Sequence, residues 1–413
     1  MRRFLDPPSR APWMLALAIA LFSVAPVLGQ YAAGDVVIVD ARSNTPARIW
    51  SMDRAGKVST VVRSLPFLPQ VVIPSPDNRG VLVAGNLSGT QGVVARVMPS
   101  GTIVSLTNPA HFLASMCIDH TGDVYLGDLV GRILRFRPPF LTRIYFSTRL
   151  QGASGLTVDP DTGDLLIADG ATSLHRLNIR GVPILTNVVS CLPQGGEGLQ
   201  YDPDTQRLVG SFADGLFSID LSFPSVMTLR RGAPFGHVGK LARDPSDGWM
   251  VVPNTRPVDA VYRYHAATGR FTTLATLPPA KFHLLTGATV AGSRHLAGLG
   301  PARTGNPYRL RVSSPAEPGA SYVVGMSFGR WPGISTPDGR TIWLHSDALL
   351  GLSQAHAFFQ DFRGRLDSQG EATATLHVPP WVSLHGLRVF AAVVTIVGGR
   401  IVTISHTLGI TIE

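Results

Sequence analysis

One short pattern recurs along most of this chain: a glycine, a polar or variable residue, three or four apolar residues, then Asp or Asn. Gly34-Asp35-Val36-Val37-Ile38-Val39-Asp40 is one copy, and Gly163-Asp164-Leu165-Leu166-Ile167-Ala168-Asp169 is another. Further copies end at Asn86 and Asp128, and looser ones at Asp214 and Asn254. The end positions 40, 86, 128, 169, 214 and 254 lie 46, 42, 41, 45 and 40 residues apart. Each copy follows an apolar stretch and a turn such as Asp159-Pro160-Asp161-Thr162-Gly163 or Asp202-Pro203-Asp204-Thr205. Pro fixes φ, Gly permits positive φ and Asp caps the turn, so these are hairpin connections. An alternating strand such as Arg132-Ile133-Leu134-Arg135-Phe136 comes next, and then a fourth strand. No helical period intervenes.

Four short antiparallel strands per forty-odd residues, repeated radially, predict an all-β fold: a β-propeller. Five units are complete. The first begins at its second strand, and the run 284–291 can return the missing innermost strand from the far end and remove the free edge. That gives six blades. His295-Leu296-Ala297-Gly298-Leu299-Gly300 is an extra strand that leaves a seven-bladed count open. After Thr304-Gly305-Asn306-Pro307 the repeat stops, and seven or so strands in about a hundred residues predict a C-terminal β-sandwich. The expected organisation is therefore 1–29, 30–303 and 304–413.

Residues 1–29 read as a signal peptide. Arg2, Arg3 and Arg10 form a basic start, Trp13 to Leu28 an apolar run broken by Pro26, and Val27 and Gly29 are small enough to precede a cut before Gln30. The run is shorter than a spanning helix needs, and no later segment is long and apolar enough to cross a membrane. The expectation is a secreted, periplasmic or cell-surface bacterial protein. Its net charge of +9 is spread, with no basic cluster interleaved with aromatics, which argues against a nucleic-acid partner. Two cysteines, Cys117 and Cys191, are too few for a disulfide scaffold. Buried free thiols are expected, although export would permit them to pair.

The unit Gly-Asp-Leu-Leu-Ile-Ala-Asp, followed by a strand carrying Arg, resembles the NHL-type and SMP-30/gluconolactonase/streptogramin-lyase-like six-bladed propellers, over roughly residues 34 to 300. Segments such as Pro318-Gly319-Ala320-Ser321-Tyr322 resemble a C-terminal β module of secreted bacterial proteins. The first resemblance implies a Glu with Asn and Asp at the propeller mouth, which Glu197, Asn254 and Asp40 could match. The order and neighbours of those residues in this chain do not follow the family's pattern.

In a four-stranded blade the second-to-third loop and the connection to the next blade open on one face. Asp40, Asn86, Asp128, Asp169, Asp214 and Asn254 should therefore ring one mouth, either as ligands to a hard cation such as calcium or magnesium or as caps of their own loops. Their sixfold repetition favours the caps. His111, Ser154, Glu197, His237 and His283 precede the innermost strands and share that mouth. Glu197, the one glutamate of the repeat region, lies among glycines that would let a ligand approach. Glu197, His237, His283, His111 and Asn254 are the candidate ligand-binding residues, and Glu197, His237, Asp40 and Asn254 the candidate divalent-metal ligands. A Glu with histidines could hold a Lewis-acidic metal or supply a general base. Trp331 and Trp381 could stack on sugars, but core packing is the simpler reading. No phosphate loop, serine elbow or Cys-His pair is visible.

These features predict a non-catalytic binding or scaffold protein for an extracellular protein, glycan or small molecule. The rivals are a metal-dependent lactonase- or lyase-like enzyme at the mouth, and glycan binding by the C-terminal domain.

Overall fold

The second strands from the centre of the molecule are strongly apolar. Val37, Ile38, Val81, Leu82, Val124, Leu126, Leu165 and Ile167 are all but inaccessible, because these strands are covered on both faces by neighbouring sheets. Burying each such side chain is worth about 1.5–3 kcal/mol, and seven clusters of this kind run through the protein. The structure is a computed structural model. It describes residues 31–413 except 42–45, 88–90, 110–111, 120, 137–143, 147–149, 160–161, 171, 179–183, 191, 194–196, 203–204, 206, 225, 233, 245–247, 256–257, 279–283 and 338–339.

Six four-stranded antiparallel blades are present, each with its strands in sequence order from the inside outward except the first. Blade 1 takes its innermost strand, Leu285–Val290, from the end of the repeat region and pairs it with Val36–Asp40, so the chain ends clasp as the run 284–291 suggested. Blades 2 to 5 begin with Leu68–Pro74, Leu113–Ile118, Ala153–Val158 and Gly198–Asp202. The innermost strand of blade 6 is split into His237–Val238 and Ala242–Arg243. Neighbouring inner strands pack against one another all the way round, blade 6 meeting blade 1. The ring is therefore closed at six blades.

Leu296–Gly298, read from sequence as an extra strand, does not form a seventh blade. It pairs with Pro307–Ser313 in the C-terminal region. There two antiparallel sheets meet over one core. One contains Leu310, Val312, Ala374 and Leu376, and the other Val324, Met326, Ala391 and Val393. Among the described residues no helix is long and apolar enough to cross a membrane.

The C-terminal region sits against the propeller face that carries the hairpin turns between first and second strands. Asn78 donates to the Arg294 carbonyl at 2.6 Å and accepts from the Arg294 N–H at 3.1 Å. Arg294 donates to the Asp119 carbonyl at 2.9 Å, and Arg311 to the Pro76 carbonyl at 3.0 Å. The Arg330 guanidinium lies between the Tyr201 and Phe390 rings, 5.7 Å from each centroid.

Candidate functional site

The periodic Asp and Asn residues hold the fold together. The Asp40 carboxylate is wholly buried and accepts from the Leu284 N–H at 3.1 Å, which fixes the returning strand. Asn86 grips blade 3 with both ends of its amide, accepting from the Leu113 N–H at 2.8 Å and donating to the Leu113 carbonyl at 3.0 Å. Asp128 accepts from Val130 N–H, Arg132 N–H and Arg132 Nε. Asn254 accepts from Gly236 N–H and donates to the Val258 carbonyl. Asp128 and Asn254 cap their own loops, as short carboxylates and amides favour, whereas Asp40 and Asn86 tie together strands far apart in sequence. Asp40 and Asn254 are both buried, and their described side-chain hydrogen bonds go to backbone groups. Asp214 falls outside the pattern, because blade 5 turns early. Phe212 pairs with Gly215 and leaves Asp214 exposed in the two-residue turn.

Among the mouth candidates, Glu197 and His237 come together, with Oε2 and Nε2 4.0 Å apart and about a third of each side chain accessible. Ser154 turns back onto its own blade and donates to the Ala168 carbonyl at 3.2 Å. His111 and His283 lie outside the described residues, as does Cys191. Cys117 carries a free, buried thiol whose pKa burial pushes up. Among the described residues no group of three or more His, Cys, Asp or Glu side chains gathers as a metal centre would require.

Below the mouth runs a cavity of about 270 Å³, walled by the inner strands of the blades. Glu197 belongs both to its wall and to the mouth. At the opposite end the wall is completed by Arg330, Arg388 and the stretch His406–Gly409, so the C-terminal region forms the floor of the propeller's channel. This contribution was invisible in sequence, because it depends on how the two regions dock.

Sequence reasoning also missed Lys240. It lies in the break of the split inner strand, where its backbone leaves blade 6 and pairs with blade 1. Lys240 N–H donates to Thr286 O at 2.9 Å, and Ala288 N–H to Lys240 O at 3.1 Å. Two glycines make room for that detour. A Cβ on Gly198 would come within 2.9 Å of Lys240 Cα, and one on Gly239 within 2.3 Å of the Leu285 carbonyl oxygen. Lys240 is half-buried and lines the cavity. Burial lowers its pKa from the ordinary lysine value, and the Glu197 charge opposes the shift in part. At the floor, burial likewise holds Arg294 down at about 10, against the opposing pull of Asp119. The cavity thus carries charged groups at both ends.

Trp331 and Trp381 are not core residues. They are 61% and 58% exposed, and Trp331 stacks on Trp343 with centroids 5.6 Å apart instead of entering the sheet interior.

No protein-family model and no curated protein matches the sequence. Solved structures do match. A chain from a nidogen/laminin complex shares 14% identity at a TM-score of 0.52, covering 62% of this chain and 98% of that one. A streptogramin B lyase aligns at 12% identity and a TM-score of 0.42, over 63% of this chain and 90% of its own. A structure described as a candidate gluconolactonase aligns at 15% identity and a TM-score of 0.41, over 61% and 92%. At such identities the likeness is one of fold, and the fold the chain shares with the nidogen/laminin complex chain is that of a β-propeller.

Proposed function

We propose that this is an exported binding protein that takes up a small molecule in the central channel of its propeller. One observation carries the reading: a cavity of about 270 Å³, walled by apolar and polar residues together, whose far end the C-terminal region closes and whose near end carries Glu197. Concave sites in which polar groups can orient a ligand between apolar walls are where small molecules bind. The caps around the mouth leave Glu197 and His237 as the exposed polar pair that an entering ligand meets. Export rests on the basic start, apolar run and small residues of positions 1–29. An N-terminus at Gln30 on protein recovered outside the cytoplasm checks it.

The binding test is thermal denaturation of the full chain against a panel of small organic acids, sugars and lactones. A ligand at a hundred times its Kd stabilises the fold by about 2.7 kcal/mol. That stabilisation should shrink in Glu197→Ala. A panel in which no compound raises the melting temperature, or raises wild type and variant alike, counts against the channel.

The second reading, a divalent ion bound at the mouth for lactonase- or lyase-like chemistry, is favoured by the approach of Glu197 to His237. Stoichiometric metal in the purified protein, lost in Glu197→Ala, would establish it and displace the first.

A further inference from the structure

Trp331 is 61% exposed, yet its ring is held in place from behind. It lies 5.6 Å from the ring of Trp343, with 11° between the two planes, so one face is covered and the other is turned to solvent. We propose that this free face is the stacking platform of a carbohydrate site on the C-terminal region, for a neutral sugar of the gluco configuration. The proposal is independent of the channel.

Pre-organisation is the first argument. The stretch 328–347, which carries both rings, is tied down at several points. Its His345 N–H donates to the Gly329 carbonyl at 2.8 Å. The Asp347 carboxylate accepts from the Phe328 N–H and the Ser327 hydroxyl, each at 2.8 Å. The Thr407 hydroxyl donates to the Trp343 carbonyl at 2.8 Å. Gly333, at φ 87°, folds the turn against the second ring: a Cβ there would come within 2.6 Å of Thr341 Cγ2 and 3.3 Å of Trp343 Cε3. A ring fixed before its ligand arrives loses little freedom on binding.

Size is the second argument, and it excludes a protein face. Trp331 leaves about 150 Å² open, since a whole aromatic side chain of this size presents up to about 250 Å². A protein interface takes about 800 Å² from each partner and surrounds its aromatic anchor with further contacts. Among the described residues of 328–347, Phe328 is the only other large apolar side chain in the open. Ser335, His345 and Ser346 are exposed and polar. One ring with a polar border matches one sugar ring.

Chemistry selects the sugar. In the gluco configuration the ring hydroxyls are equatorial, so both faces of the sugar present C–H groups to an aromatic plane while the hydroxyls point outward. His345 can meet such a hydroxyl: about half of its side chain is accessible, and Nδ1 stands 3.9 Å from Asp347 Oδ2, beyond hydrogen-bond length. The charged groups nearby are committed inward. Arg340 donates to the Val402 and Ile401 carbonyls at 2.8 and 2.6 Å, and Arg330 to the Tyr201 hydroxyl at 3.4 Å. That arrangement suits a neutral sugar better than an acidic one.

The test is calorimetric titration of the full chain with cellohexaose. Binding is expected at millimolar concentration or below. Trp331→Ala should weaken it about tenfold or more, the loss of one ring's apolar contact. Trp331→Phe keeps a smaller ring and should retain part of the affinity. Trp381→Ala, which removes a tryptophan that is 58% exposed and lies elsewhere in the C-terminal region, should change nothing. Thermal melts confirm that each variant folds. No heat at millimolar cellohexaose overturns the proposal. Binding that Trp331→Ala leaves intact overturns it too, and places the sugar in the channel or on another surface. If Trp331→Ala instead alters the sedimentation of the chain and no sugar binds, the ring is a contact between copies and the proposal falls. None of these failures touches the channel reading, which rests on Glu197 and its own panel.

Discussion

Asn86 commits its whole amide to a neighbouring blade, and that decides how the ring of short polar residues should be understood. Its side chain is 1% exposed and satisfies both the N–H and the carbonyl of Leu113, 27 residues away. Asn86→Ala strands two buried backbone groups at roughly 1–3 kcal/mol each, so a loss of about 2–6 kcal/mol is expected in urea denaturation. Asn86→Asp keeps the acceptor for the Leu113 N–H but turns an oxygen toward the Leu113 carbonyl, and should lose most of the same stability. A loss below about 0.5 kcal/mol for both variants would mean the ring residues are dispensable to the blades. The sequence pattern located these residues and their periodicity. It could not decide between capping and ion binding, because both use short oxygen-bearing side chains, and only the hydrogen-bond partners separate them.

At the scale of the strand, the informative element is the one that breaks. Inner strands are expected as near-continuous apolar runs, but that character belongs to the second strands such as Val36–Asp40 and Leu165–Asp169, and the inner ones mix apolar with small and polar residues. The inner strand of blade 6 departs further, since His237-Val238-Gly239-Lys240-Leu241-Ala242-Arg243 carries a lysine in its middle and is split there. That was a signal, but its meaning depended on the seam to blade 1, which no local pattern encodes. Gly239 is the hinge of the departure. Its N–H donates to the Pro253 carbonyl at 3.0 Å, and the following residue already pairs with Thr286. Gly239→Ala pushes a methyl into the Leu285 carbonyl, and crowding of this kind costs about 1–3 kcal/mol. The variant should therefore melt lower than wild type on heating. An unchanged melting temperature would mean that the seam between blades 6 and 1 absorbs the methyl.

The whole molecule depends on two long-range arrangements, the clasp of the ring and the docking of the C-terminal region. His295 lies at the second, with Nδ1 3.0 Å from the Ser313 carbonyl. Burial lowers its pKa below the usual 6.5, against the smaller opposing pull of Ser313, Glu317 and Asp244. The unfolded chain then binds the proton more readily than the folded one. Stability should fall as pH drops below about 6.5 and level off beneath the folded pKa. Melting temperatures from pH 8 to 5 should show that decline, and His295→Asn should flatten it.

The clasp makes a sharper demand. Leu285–Val290 gives blade 1 its inner strand, and Leu285, Ala288 and Val290 share a core with Ile38, Trp50 and Met52. A chain of residues 31–292 keeps six complete blades and gives up only the floor of the channel. A chain of residues 31–283 leaves blade 1 with three strands and Val36–Asp40 as a bare apolar edge, a template for aggregation. Far-UV circular dichroism on heating should therefore show one cooperative transition for 31–292, while 31–283 should precipitate or melt without a transition. The nine residues between those two ends carry the closure, because a propeller's inner strands stabilise one another only around a complete ring. A cooperative melt of the shorter chain, equal to that of the longer, would mean that the blades stand without their clasp.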